Sequence, residues 1–210
     1  MNKIFLIILL SLSLLVLCLL ILGLSTEQSL TLHINEHQIN IKNVLGDTTC
    51  QRILQKTNSD YQKLVIHSGL KKHVQHFFIP SGDEKMHSKG LETLGNSYFN
   101  WMNQRIELLS KLWFLVLFKK NVLTLFLPWL CVYYVALSIE GELIRRKKSY
   151  EFALPSALRF GFAIKAIIAA SWLLLYVLIL PYAWTLFLLL LLSLIVGFFS
   201  MLLFANANYR

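Results

Sequence analysis

Charge is what this chain has least of. Only 15% of its 210 residues are charged, against about 25% in an ordinary soluble domain. The deficit is local. From Ala166 to Ala205 not one charged side chain occurs, so a large soluble domain there is excluded. Cysteine is also sparse: three residues, Cys18, Cys50 and Cys131, with no CxxC pair, which excludes a disulfide framework and a cysteine-based zinc site. Cys18 and Cys131 sit in apolar runs as small hydrophobes, and Cys50 is expected to be an unpaired, half-buried thiol. Glycine-rich phosphate loops are missing, and no apolar run contains GxxxG.

The apolar runs also lack Asp, Glu and His. Ionisable groups in a bilayer are costly and mark proton relays and ion pathways. Their absence argues against a proton-coupled transporter, an intramembrane protease and most channels. Ser11, Ser13, Thr124, Ser171, Ser193 and Ser200 have no acidic or basic partner in these runs, so helix back-bonding or interhelical contact is their expected role. An oligomeric pore lined by Thr124, Ser171 and Ser193 is the reading left to the transporter class. No enzyme activity and no cofactor are expected.

What remains is hydrophobic length. A bilayer crossing takes about 20 apolar residues. Ile4–Leu24 is long enough for an uncleaved anchor helix; a signal peptide has a shorter apolar core and a small-residue cleavage site, which Leu22-Gly23-Leu24-Ser25 does not supply. Asn121–Ile139 is a second span, with Pro128 inside it and Thr124 one turn earlier to re-satisfy the freed backbone. The long run is divided by Pro181-Tyr182-Ala183-Trp184 into Phe160–Leu180 and Tyr182–Ala205, a hairpin of two further spans.

The predicted fold class is therefore an all-α integral membrane protein. It has four transmembrane helices and a small, mostly helical extracytoplasmic domain between the first and second. The expected divisions are 1–25 (anchor), 26–120 (outer domain), 121–139, 140–159 (basic cytoplasmic loop), 160–180, 181–205 and 206–210 (tail). Orientation follows from Lys and Arg in short loops. Arg145, Arg146, Lys147 and Lys148 follow the second span directly, so this loop and both termini belong in the cytoplasm and the Pro181 turn on the other side. The expected location is the bacterial inner membrane.

Within the outer segment, Leu30–Ile34 and Ile39–Ile41 alternate apolar and polar, which predicts a small hairpin. Asp60 is placed to cap a helix running to about Phe78, with Tyr61, Leu64, Val65, Val74 and Phe77 at helical spacing, ended by Ile79–Asp83. A further helix from about Leu91 is expected to run into the second span, with Lys119 and Lys120 at the outer boundary. The stretch Leu112–Phe118 is apolar all round and is expected in the membrane interface or against another subunit.

Net charge is +9, but no dense basic patch with interleaved aromatics occurs, so no direct nucleic-acid binding is expected. The distinctive polar patch is Glu140, Gly141, Arg145, Arg146, Lys147 and Lys148. Gly141 suits a helix C-terminus. The basic run suits anionic headgroups or docking of a cytoplasmic partner. Of the six histidines, His67, His73 and His76 are the set nearest to a metal site; a solvated basic face with Lys71 and Lys72 is the simpler reading, and no metal is expected. His33 and His37 lie in the predicted hairpin, where a four-residue spacing carries little.

From Tyr98 to Arg210 the motifs follow in order. A Trp/Arg helix (Phe99-Asn100-Trp101 to Leu109) leads to Leu127-Pro128-Trp129. Glu140-Gly141 and Arg145-Arg146 come next, then a Pro-turned hairpin. This pattern resembles the uncharacterised four-helix inner-membrane proteins encoded by integrating conjugative elements and conjugative plasmids. The resemblance implies a setting in conjugative DNA transfer through a type IV secretion apparatus, with the lipid bilayer and other membrane proteins of the complex as partners, and leaves homo-oligomerisation open. The competing expectation is a membrane-bound sensor or regulatory subunit that binds a ligand or metal through the outer domain.

Overall fold

The computed structural model describes residues 3–78, 92–151, 156–182 and 184–207. The described elements are helices: α1 (Lys3–Leu24), α2 (Glu27–Leu45), α3 (Asp47–Tyr61), a π-helical segment (Gln62–His67), α4 (Leu70–Phe78), α5 (Glu92–Tyr150), α6 (Ala157–Ile179) and α7 (Thr185–Ala205). They form two units, Met1–Asn121 with Pro181–Ala183, and Val122–Leu180 with Trp184–Arg210. The expected stop at Ile79–Asp83 and the start at Leu91 lie outside the described residues.

In the first unit the predicted hairpin is a helix. Thr26 caps α2, its hydroxyl accepting from Ser29 N at 3.3 Å, with Glu27 in the first turn. This is the favoured N-terminal arrangement. Leu30, His37 and Ile41 are its buried residues. Their separations of seven and four follow helical periodicity, which the local alternation of Leu30, Leu32 and Ile34 conceals. Gly46 ends α2 at φ 84°, a conformation that favours glycine. Its amide donates to Lys42 O.

Asp60 is not a cap. It lies in the last turn of α3, which begins at Asp47, buries Cys50, Ile53 and Thr57 and passes into the π-helical segment. The break comes later, at Gly69 (φ 71°).

The stretch Leu112–Phe118 also departs from expectation. Leu112, Leu115, Leu117 and Phe118 are buried, Leu115 completely. The chain's own residues cover these four, while Trp113 is exposed. The first half of α5 is the spine of this unit. Tyr61 Oη donates to Ser110 Oγ at 3.0 Å and its ring meets Phe114 edge-on. Lys111 pairs with Glu27. Arg105 Nη1 donates to Leu22 O at 2.6 Å and Ser25 O at 3.0 Å, satisfying carbonyls that the end of α1 leaves open. Between Leu24 and Glu27 the chain turns by 110°.

The second unit holds the rest of α5 with α6 and α7. Ser156 caps α6 by accepting from Arg159 N. Val177, Leu189 and Leu192 form a core flanked by Leu123, Leu174 and Leu188. The helix α5 runs through Pro128 and continues to Tyr150, 59 residues in all, so the expected loop from residue 140 is helical to Tyr150. Gly141 is accordingly no helix terminus. A Cβ there would lie 2.7 Å from Met201 O and 2.9 Å from Phe204 Cβ, and one at Gly197 would lie 2.5 Å from Tyr133 Cε1. Both glycines mark places where α5 and α7 approach closely, as small residues allow in membrane helices.

Among the described residues three helices are long and apolar enough to cross a membrane: Tyr98–Tyr150, Ala157–Ile179 and Thr185–Ala205. The bent pair Leu10–Leu24 and Glu27–Leu45 makes up to four.

Candidate functional site

The basic end of α5 is built from residues one helical turn apart. Glu142 accepts from Arg145 Nη2 at 2.6 Å and from Arg146 Nε at 3.4 Å, the i,i+3 and i,i+4 neighbours of a helix surface. Hydrogen bonds and charge from the two arginines, Arg145 first, hold the Glu142 carboxyl below its usual range despite some desolvation. Lys148 Nζ reaches Ala205 O at 3.2 Å and Asn206 Oδ1 at 2.9 Å. A cation there satisfies carbonyls at the C-terminus of α7. Lys147 is 3.9 Å from Glu151 and three-quarters exposed. Glu140 lies one turn N-terminal of this group, on the exposed surface. The patch is thus divided: Gly141 and Lys148 hold α5 to α7, while Arg146 and Lys147 face outward.

His67, His73 and His76 are each exposed, and among the described residues no group of three His, Cys, Asp or Glu side chains is placed to hold a metal. Ser171 and Ser193 donate to carbonyls of their own helices, Ile167 O and Leu190 O. Cys50 is buried and free of any disulfide, with Sγ 3.7 Å from Gln38 O. It lines an open groove of about 390 Å³ between α2 and α3, edged by Asn35, Gln38, Lys42, Asp47 and Gln51. Burial and the neighbouring Asp47 charge push the thiol up, away from the reactive thiolate.

Two polar clusters in the first unit escaped the sequence reading. The first joins α3 to α5. Thr57 Oγ1 gives its proton to Ile53 O, so its oxygen is an acceptor for Asn121 Nδ2 at 3.1 Å. The same Nδ2 and Lys120 Nζ both donate to Asp60 Oδ2 at 3.2 Å. Burial alone would raise the Asp60 carboxyl, but the hydrogen bonds from Asn121 and Lys120, with the Lys120 and Lys56 charges, hold it below its usual range. Asn121 Oδ1 is buried without a hydrogen-bond partner.

The second cluster is made of two basic side chains. His37 is 1% exposed and Lys119 fully buried, although lysine is rarely found inside. His37 Nε2 lies 3.2 Å from Pro181 O. A carbonyl only accepts, so Nε2 carries the proton and Nδ1 is the basic atom. Alongside, His33 meets the Tyr182 ring edge-on at 5.3 Å between centroids. Burial first, and the Lys119 charge second, pull the His37 imidazole down to about 4, against the upward effect of the Pro181 hydrogen bond. The only sequence signal for this pair was a histidine at a core position of a helical pattern in α2.

Comparison with known proteins gives one family. A protein-family model described as "DtrJ-like: IncC plasmid conjugative DNA transfer protein DtrJ-like" matches residues 24–208. No curated protein and no solved structure matches.

Proposed function

Given that the chain belongs to the DtrJ-like family of conjugative DNA transfer proteins, we propose that it is a non-enzymatic, multi-pass inner-membrane component of a conjugative transfer apparatus. The observation that carries this reading is the extent of the match, which takes in α2 to α7 and so goes beyond the C-terminal half on which the resemblance was read. The outer segment contacts partners outside the cytoplasm. The end of α5, through Arg145, Arg146 and Lys147, contacts partners or anionic headgroups inside.

Two contacts support a four-span path. The His37–Pro181 hydrogen bond, within the first unit, joins α2 to the turn before α7, so both belong on one side of the membrane. The Lys148–Asn206 hydrogen bond, within the second unit, joins the ends of α5 and α7, which favours one shared side for those two ends. This is the arrangement expected from the positive charges of short loops.

Deletion of the gene with its operon otherwise intact tests the proposal. Transfer of the element falls and is restored by the wild-type copy in trans; unchanged transfer overturns the reading. Compartment-specific reporters near positions 60 and 148 test the path: they report opposite sides, and a shared side removes the four-span arrangement.

A further inference from the structure

We propose that His37 is an acid-operated latch: neutral, it holds the Pro181–Tyr182 turn against α2, and protonated, it releases the turn.

The argument starts from what the turn is made of. Pro181 has no amide hydrogen, so its carbonyl is the backbone group it offers, and His37 takes it up. Beside it, Tyr182 packs on His33, one turn earlier on α2. The contact of the turn with α2 thus runs through two imidazoles, and the hydrogen-bonded one is buried.

Protonating Nδ1 leaves the Nε2–H···O bond intact but places a charge where no water reaches. A buried charge is costly unless it is paired. The titratable and charged groups that act on His37 are Lys119 of α5 and, on its own helix, His33 and Glu36. From the turn, the described residues add only the Tyr182 phenol. The Lys119 charge opposes an imidazolium. Glu36 is the single anion in the set, and it already pairs with His33 at 3.1 Å. The cheapest relief is to let the turn move away and water in. Once released, a histidine is the side chain that changes charge between about pH 5 and 8.

Hydrogen–deuterium exchange of the full-length protein in lipid nanodiscs tests this, with rates corrected for the intrinsic effect of pH. From pH 7 to 4.5 the opening constant for the segment around 180–186, and for α2 near 33–41, rises roughly fiftyfold if the released imidazole titrates normally. In His37→Gln, whose amide can still donate to Pro181 O, the rise disappears. In Lys119→Met it shrinks, because the repelling charge is gone. A flat wild-type profile, or an equal rise in His37→Gln, overturns the latch. Should His37→Gln fail to fold, histidine-labelled NMR of the wild type decides. A His37 midpoint well below that of exposed histidines, with Tyr182 shifting in step, upholds the proposal. An ordinary midpoint with Tyr182 unmoved rejects it.

Discussion

Gly141 and Met201 face each other across α5 and α7 so closely that a single added methyl at Gly141 would stand 2.7 Å from the Met201 carbonyl oxygen. That atom is backbone and cannot swing aside. Gly141→Ala is expected to cost about 2 kcal/mol, the range for overpacking a close contact. Gly197→Ala, meeting the Tyr133 and Tyr134 rings, falls in the same range. Gly161 lies in α6 with nothing within 4 Å of its virtual Cβ, so Gly161→Ala is neutral or stabilises by up to about 1 kcal/mol through helix propensity. Thermal unfolding of the three variants in one detergent makes the comparison; equal effects would falsify the close-approach reading.

Arg105 holds two carbonyls at the end of α1 and lies with its guanidinium carbon 5.3 Å from the Trp101 ring centroid. Its Nε is buried without a partner, so the site uses the fork of Nη1 rather than every donor. Removing a charged donor to backbone carbonyls costs about 2 kcal/mol. Arg105→Ala is expected to loosen the junction of α1 and α2, read as faster limited proteolysis between residues 22 and 30. Arg105→Lys recovers part of the loss, since one ammonium cannot copy the planar fork.

Stability against pH has a definite sign. The folded His37 sits at about 4 and the free side chain at 6.5. The unfolded chain therefore binds the proton more readily. The contribution is complete above 6.5 and is lost as pH falls from 6.5 toward 4, by about 3 kcal/mol in all. Melting temperatures between pH 4 and 8 should fall on the acid side in the wild type. His37→Gln should flatten the acid limb alone.

The basic end of α5 separates docking from folding. Arg146 and Lys147 are largely exposed, so Arg146→Gln with Lys147→Gln should change stability by no more than about 0.5 kcal/mol. DNA transfer should fall nevertheless. Lys148→Ala removes the cap on Ala205 and Asn206 and should cost about 1 kcal/mol, seen as a lower melting temperature. Normal transfer by the double variant at wild-type abundance would leave these residues as topology anchors only.

The long helices were legible in the sequence because charge-free runs bounded by Pro181 and by basic clusters leave little choice in lipid. The first unit was read less well, for physical reasons. In α2 the apolar side chains at 30, 32 and 34 fit a strand locally, and only the longer series through His37 and Ile41 shows the helix. Leu112–Phe118 reads as lipid-facing on hydropathy alone. What covers it is decided by residues over fifty positions away, such as Tyr61, which no local window includes. Gly141 was noticed, but its reason is the approach of α7 rather than a helix end. His37 and Lys119 were missed as a pair because burial of a cation is a tertiary outcome, and their sequence separation hides the encounter.

Tyr133 and Tyr134 sit side by side on α5, and their hydroxyls donate to Leu194 O and Ser193 O of α7. The helix they grip is mostly leucine and phenylalanine, so one stretch of it offers lipid or a neighbour much the same surface as the next. A slide by one residue would strand two phenol protons in hydrocarbon and drive a ring into the space that Gly197 leaves open. The alignment of this oily helix is therefore spelled out by two hydroxyl groups and one missing side chain, and conservative-looking Tyr→Phe changes should blur the fold before they weaken it.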